Sequence, residues 1–119
     1  MPDPLKVALV ILEPLPGDMS RVYRGLKAAK EFSDAGDDVV VLFDGSGVDA
    51  LAAVSDPESP LHPLISALRP VVRGACKYCS TSHKVRDELE AAGWPLLDDF
   101  AGEASVRALA VEGRQSLTY

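Results

Sequence analysis

Cysteine is scarce in this sequence, which has only two cysteines among its 119 residues. Two cysteines cannot build a disulfide scaffold, and a chain of this length buries a hydrophobic core without one. Hydrophobic residues make up 47% and charged residues 25% of the chain, which is typical of a globular protein rather than a disordered one. We therefore expect one domain over residues 1–119.

Long hydrophobic runs are also missing. The longest uninterrupted one is Val7 to Leu12, six residues, whereas a membrane-spanning helix needs about 20. The first residues, Met1 to Pro4, contain neither a basic region nor a small-residue cleavage site of the kind that a secretory leader has. These observations predict a cytoplasmic protein with no membrane partner.

Positive charge is in deficit, since the formal net charge is −6. A nucleic-acid partner is therefore not expected, because binding to the phosphate backbone needs a broad basic surface. The deficit of positive charge is not spread evenly along the chain. No acidic residue occurs from Ser59 to Arg86, a stretch that contains five basic residues and both cysteines, Cys76 and Cys79.

Apolar patterning predicts alternating strands and helices. Leu5–Leu12 and Asp38–Phe43 have the continuous apolar character of strands that are buried on both faces of a parallel sheet. Shorter strands are expected at 71–75, 95–97 and 116–119, and helices from an N-cap at Ser20 to Gly36 and at 48–54, 64–68, 80–92 and 103–112. This alternation predicts an α/β fold with a parallel sheet covered by helices.

In such sheets, ligands bind beyond the carboxyl ends of the strands. Three loops leave those ends early in the chain, at 13–19, 44–47 and 74–79, and we expect them to meet in one pocket. Glu13 is a candidate polar residue of that pocket. Asp44 and Gly45 begin a glycine-rich turn that could present amides to an anion, although the pattern also fits an ordinary tight turn.

The segment from Gly74 to His83 holds a Cys-x-x-Cys motif, Cys76 and Cys79, between a strand end and a helix start. Helix amides and nearby cations favour the thiolate, the reactive form of cysteine. Lys77 lies between the two cysteines, and Arg73 and Lys84 are close in sequence. This placement predicts that at least one thiol is more acidic than a free cysteine. The alternative is that both are small buried hydrophobic residues.

Three kinds of chemistry use two such thiols, namely metal binding, dithiol–disulfide cycling and sulfur transfer. A structural zinc site has four ligands, and the only further candidates are His83 and His62, so no metal site is predicted. Thioredoxin-like proteins share the position at a helix start but usually have proline between the cysteines, where this chain has Lys77 and Tyr78. His83 is a candidate proton relay.

Several segments together resemble the small stand-alone branch of the DsrE-like family. They are Lys6–Val10, Arg24–Ala29, Val41–Val48, Asp56–Leu64, Ala75–Cys79 and Glu112–Tyr119, which cover most of the chain. The resemblance implies a three-layer α/β/α sandwich on a five-stranded parallel sheet, in agreement with the number of strands expected from the apolar pattern.

The resemblance also implies that Cys76 carries sulfur as a persulfide and that the chain forms homo-oligomers, trimers or hexamers, with sites near subunit contacts. Many sulfur-carrying relatives lack the cysteine at position 79, which leaves a disulfide or a bound metal open for this chain.

The leading hypothesis is a sulfur-relay protein without a cofactor, in which Cys76 accepts sulfur from a donor protein. Cys79 then attacks the persulfide and forms an internal disulfide, while Lys77 stabilises the charged sulfur. Two hypotheses compete with it. The first is a non-enzymatic oligomeric module that binds a small ligand or a metal, and the second is a Cys-x-x-Cys redox protein.

Overall fold

The computed structural model describes residues 3–119. The chain forms five strands, six α-helices and one 3-10 turn. The strands are β1 (Lys6–Ile11), β2 (Asp38–Phe43), β3 (Val72–Cys76), β4 (Leu96–Leu97) and β5 (Gln115–Thr118). The helices are α1 (Met19–Asp34), α2 (Gly47–Val54), α3 (His62–Leu68), α4 (Lys77–Ser82), α5 (Arg86–Ala91) and α6 (Arg107–Val111), with the 3-10 turn at Arg69–Val71.

All five strands are parallel and lie in the order β4-β3-β2-β1-β5. From β1 to β4 the chain moves across the sheet in one direction, and it then returns over the whole sheet to place β5 beside β1. Since parallel crossovers have one hand, the first three connections put their helices on one face and the return puts α6 on the other. The predicted α/β/α sandwich on a five-stranded parallel sheet is confirmed.

The two faces of the sheet are covered to different depths. Residues of α1, α2, α3 and α5 join alternate residues of the central strands in a large buried cluster, which includes Leu26, Phe43 and Leu89. On the other face a small cluster contains Val10, Leu42 and Cys76, and α6 with its preceding loop adds only Leu109 and Ala104 as buried residues. Cys76 therefore lies on the thinly covered face of the sheet.

A bulge in β3 decides which face Cys76 occupies. Val72 pairs with Val41, but the next residue of β2, Leu42, pairs with Gly74, so that Arg73 is an extra residue. Gly74 has a φ of 145°, and a Cβ there would collide with the carbonyl of Pro95 in the neighbouring chain segment. An extra residue reverses the alternation of side chains along a strand. Cys76 consequently points away from the face that Val72 occupies.

The boundaries of three predicted helices differ most from the sequence-based expectation. The N-cap of α1 is Asp18 rather than Ser20, because the Asp18 carboxylate accepts hydrogen bonds from the amides of Ser20 and Arg21. In place of the single helix predicted over 80–92, the structure has two, α4 and α5. The first begins earlier than expected, at Lys77, and the break between them falls where Lys84 adopts a φ of 62°. The helix expected over 103–112 covers only Arg107–Val111, and the residues before it form part of a loop.

None of the helices in the described part of the chain, residues 3–119, combines the length and the apolar character that crossing a membrane would require.

Candidate functional site

The two cysteines lie where the connections of neighbouring strands diverge. The chain leaves β3 toward the thickly covered face and leaves β4 toward the opposite face, and the two strands pair at Cys76 and Leu97. Divergence of this kind opens a crevice beyond the carboxyl ends of the strands, which is the usual ligand position in open parallel sheets. Cys76, the last residue of β3, therefore lies at the edge where the fold provides space for a site.

The sequence had indicated that both cysteines lie in a loop, but the structure places them on regular elements. Cys76 ends β3 and caps α4, and Cys79 lies in the first turn of α4. The buried Ser80 hydroxyl donates a hydrogen bond of 2.7 Å to the Cys76 carbonyl and so fixes this turn. Both thiols are free, and the one of Cys76 is buried whereas that of Cys79 is half-buried.

The third member of the site is Asp44, which follows β2. Its carboxylate oxygen and the two Sγ atoms all lie within 4.8 Å of one another. The Cys79 thiol donates to Asp44 Oδ1 at 3.7 Å, and the Gly45 amide donates to the same oxygen at 2.9 Å. The sequence-based prediction that the Asp44 turn and the cysteine segment meet is therefore confirmed.

A loop that sequence analysis did not identify as part of the site covers Cys76. This cover loop, residues 98–106, contains a tight turn in which Phe100 and Glu103 exchange two backbone hydrogen bonds. The Gly102 carbonyl accepts from the Tyr78 amide at 3.2 Å, and the buried Ala104 amide lies 3.5 Å from Cys76 Sγ as a donor. Ala101 and Gly102 in this turn both have a positive φ. The glycine is the feature of the sequence that could have indicated the turn.

Cys79 does not meet the expectation that at least one thiol is more acidic than a free cysteine. Burial first of all, then the adjacent Cys76 and the Asp44 carboxylate, raise the pKa of its thiol to about 12, against a lowering by the Gly45 amide. The acid-free stretch of sequence is therefore not acid-free in space, because the fold brings Asp44 from another strand.

Two cations of that stretch, Lys77 and Arg73, are likewise paired with acids from elsewhere. Lys77 Nζ lies 3.4 Å from Asp98 in the cover loop. Arg73 forms a two-pronged ion pair with Glu112 at the amino ends of the strands, away from the thiols. The predicted contribution of Arg73 to the thiol environment is therefore wrong, and Lys77 serves to attach the cover loop to α4.

Glu13 belongs to a different cavity. This cavity of about 430 Å³ is lined by Leu12, Glu13, Arg21, Thr118 and Tyr119. Glu13 accepts a hydrogen bond from the Asp18 amide and pairs with Arg21 at 3.4 Å. The prediction of a single pocket is wrong for Glu13, because it lines a cavity at the ends of β1 and β5, whereas Asp44 and Cys76 lie at the ends of β2 and β3.

Neither histidine reaches the thiols. His83 Nδ1 lies 2.8 Å from the Asp49 carboxylate, and His62 contacts the Val54 carbonyl and the Ser66 hydroxyl. Within residues 3–119, the cluster of potential metal ligands around the cysteines contains only Asp44, Cys76 and Cys79.

The resemblance to the DsrE-like family stays a prediction. Comparisons of the chain with family models, with curated proteins and with solved structures found no match.

Proposed function

We propose that this protein carries sulfane sulfur on its Cys76–Cys79 pair. The observation that carries the proposal is the arrangement of the two free thiols, which lie within 4.8 Å of each other and of the Asp44 carboxylate at the carboxyl edge of the sheet. One thiol is half-buried and the other buried, so an incoming donor and the stored sulfur are given different environments.

Exposure assigns the first step to Cys79, because Cys76 is only 1% exposed beneath the cover loop. The Cys79 sulfur attacks the outer sulfur of a donor persulfide. A new sulfur–sulfur bond forms on Cys79 while the donor's own sulfur–sulfur bond breaks. The proton of the Cys79 thiol, which is hydrogen-bonded to Asp44 Oδ1, goes to the departing donor thiolate.

In the second step, the Cys76 sulfur attacks the outer sulfur on Cys79 and takes it over. Cys79 leaves as a thiolate and takes up the proton that Cys76 gives up. Each step exchanges one sulfur–sulfur bond for another, so neither requires an oxidant or a reductant. The carrier is then Cys76, as the resemblance implies, with the Ala104 amide available as a donor to its Sγ.

The test is the intact mass of the reduced protein after exposure to a low-molecular-weight persulfide. We expect the original chain to gain one sulfur atom and Cys79→Ser to gain it far more slowly. We expect Cys76→Ser to gain sulfur but to lose it quickly to an added thiol, because the half-buried Cys79 is more accessible than Cys76. Asp49→Asn is the matched control, since that carboxylate contacts His83 and not the thiols.

Two results would contradict the proposal. Equal sulfur uptake by Cys79→Ser and the original chain would refute entry at Cys79. Failure of both the original chain and Asp49→Asn to gain sulfur, with each shown to be folded, would refute sulfur transfer altogether.

We further propose that the protein works in the cytoplasm as a homo-oligomer, a trimer or hexamer, that meets separate sulfur donor and acceptor proteins. Large apolar side chains next to the site support an assembly, since Tyr78 is 61% exposed, Phe100 65% and Val106 58%. Light scattering tests it: a mass of 12.6 kDa, that of one chain, would refute the oligomer. Phe100→Glu is expected to reduce the measured mass.

A further inference from the structure

The three polar side chains at the carboxyl edge also form a set of potential metal ligands. Two thiols and one carboxylate converge from the end of β3, the first turn of α4 and the turn after β2. Thiolate and carboxylate are both established ligands of Zn²⁺, with metal distances of about 2.3 Å to sulfur and about 2.0–2.2 Å to oxygen. The cluster therefore offers three ligands that are suited to one thiophilic cation.

The distances agree with a tetrahedral centre. Two ligands at those metal distances lie about 3.5 Å apart when the angle between them is tetrahedral. Cys79 Sγ and Asp44 Oδ1 are 3.7 Å apart, and all three ligand atoms lie within 4.8 Å of one another. Small side-chain adjustments would therefore be enough to enclose an ion, without a change in the backbone.

The ligand count and type discriminate among cations. Mg²⁺ and Ca²⁺ take six or more oxygen ligands, whereas this cluster has a single carboxylate. Soft sulfur ligands favour Zn²⁺ over the hard cations. The two histidines that sequence analysis considered are bound to other groups, His83 to Asp49 and His62 to Val54 and Ser66.

Backbone amides hold the ligands in place. The Gly45 amide donates to Asp44 Oδ1, and the Ala104 amide donates to Cys76 Sγ. Such surrounding hydrogen bonds orient metal ligands and offset the negative charge that two thiolates and a carboxylate bring together.

We propose that Asp44, Cys76 and Cys79 bind one Zn²⁺-type cation through three protein ligands, with one coordination position left open. The proposal goes beyond sulfur transfer and does not depend on it, because it requires only the convergence of the three ligand atoms. Three protein ligands with an open fourth position are the pattern of reactive zinc sites rather than of closed structural ones. A bound cation would also occupy both thiols and so prevent them from accepting sulfur.

Cobalt substitution tests the site directly. Reduced protein is titrated with Co²⁺ under anaerobic conditions and then with Zn²⁺. We expect one ion per chain, intense visible bands of tetrahedral Co²⁺, a thiolate-to-cobalt charge-transfer band in the near ultraviolet, and loss of both signals when Zn²⁺ is added. Weak bands of octahedral Co²⁺ without thiolate charge transfer would overturn the proposal.

Matched variants separate this site from other arrangements. Asp44→Asn is expected to weaken Zn²⁺ binding by more than about tenfold, whereas Asp49→Asn, a change in a carboxylate outside the cluster, leaves it unchanged. Equal affinity of Asp44→Asn and the original chain would overturn the proposal.

X-ray absorption of the zinc-loaded original chain provides a measurement that does not depend on the folding of any variant. Two sulfur and two lighter ligands per zinc are expected. A count of four sulfur ligands, with half an ion per chain, would show instead that two chains share the metal through their cysteines.

Discussion

At the amino edge of the sheet, Arg73 and Arg114 both bind the Glu112 carboxylate, whereas at the carboxyl edge the Asp44 carboxylate lies beside two thiols. Both carboxylates are part of tight polar clusters that link distant segments of the chain. The first cluster is closed by opposite charges, since Arg114 also pairs with Asp38 at 3.1 Å. The second cluster consists of two thiol sulfurs and one carboxylate oxygen, and none of these groups is positively charged.

The pKa values show what this difference does. Hydrogen bonds from Arg73, and then from Arg114, lower the pKa of Glu112 to about 2, whereas burial, with Cys76 and Asp44 nearby, raises the pKa of Cys79 to about 12. Charge is thus compensated at the amino edge and uncompensated at the carboxyl edge. The first arrangement stabilises the fold, and the second is the place where we propose that a sulfur atom or a cation binds.

Replacement of Arg114 should have the largest effect on stability. Its side chain is only 7% exposed and donates to Glu112, to Asp38 and to the Val7 carbonyl. Arg114→Met keeps the apolar stem but leaves these acceptors without their donor, and we expect a loss of about 3 kcal/mol in the free energy of unfolding. Urea denaturation measures this loss.

The control for that change is Arg107→Met, an exposed arginine at the start of α6. We expect it to alter stability by less than about 0.5 kcal/mol. Similar losses for the two variants would mean that the amino-edge cluster does not stabilise the fold more than any surface arginine does.

Acid should weaken the amino edge selectively. The folded-state pKa of Glu112, about 2, is below its ordinary value of 4.5, so its contribution is complete above pH 4.5 and is lost as the pH falls from 4.5 toward 2. We expect about 1 kcal/mol after solvent screening. Glu112→Gln should remove this part of the acid dependence, and equal slopes of stability against pH in the two proteins would contradict it.

The fold could be predicted from the sequence because the apolar patterns that specify its strands and helices are local and recur along the chain. Apolar runs such as Leu5–Leu12 allow only a strand that is covered on both faces, and the helices between such strands force a parallel sheet. The helix boundaries were predicted wrongly where a single hydrogen bond or a single dihedral angle determines where a helix begins or ends. Asp18 accepts the amide bonds that were assigned to Ser20, and Lys84 ends α4 by a positive φ that no pattern indicates.

The site was only partly predictable, because it depends on contacts between residues far apart in sequence. The convergence of Asp44 with the cysteines follows from parallel strands and was predicted. The pairing of Lys77 with Asp98 and of Arg73 with Glu112 joins residues 21 and 39 positions apart, so a count of local charge could not reveal it. The bulge that turns Cys76 toward the cover loop was not predicted, although a glycine inside a strand, here Gly74, is a typical sign of one.

Loosening the cover loop should expose Cys76 without changing the amino edge. Gly102 has a φ of 88° with open space around it, so Gly102→Ala strains only the backbone, by about 1 kcal/mol. In a Cys79→Ser background, we expect several-fold faster alkylation of Cys76. Gly113→Ala is matched to it, since Gly113 has a φ of 77°, equally open space and a position after α6. Equal rates for both glycine variants would contradict a specific role for the cover loop.

The smallest expected effect comes from the Asp44 carboxylate, which contributes less to the raised pKa of Cys79 than burial and Cys76 do. In a Cys76→Ser background, Cys79 is the only thiol, and its alkylation rate against pH reports its own titration. Adding Asp44→Asn removes a negative charge near the sulfur, so we expect the pKa of Cys79 to fall and alkylation at pH 8 to become several-fold faster. Asp49→Asn in the same background should leave the profile unchanged. If Asp44→Asn slows alkylation instead, Asp44 helps to remove the thiol proton more than it opposes the thiolate. The carboxyl edge would then resemble the amino edge in stabilising the charged form of its cluster.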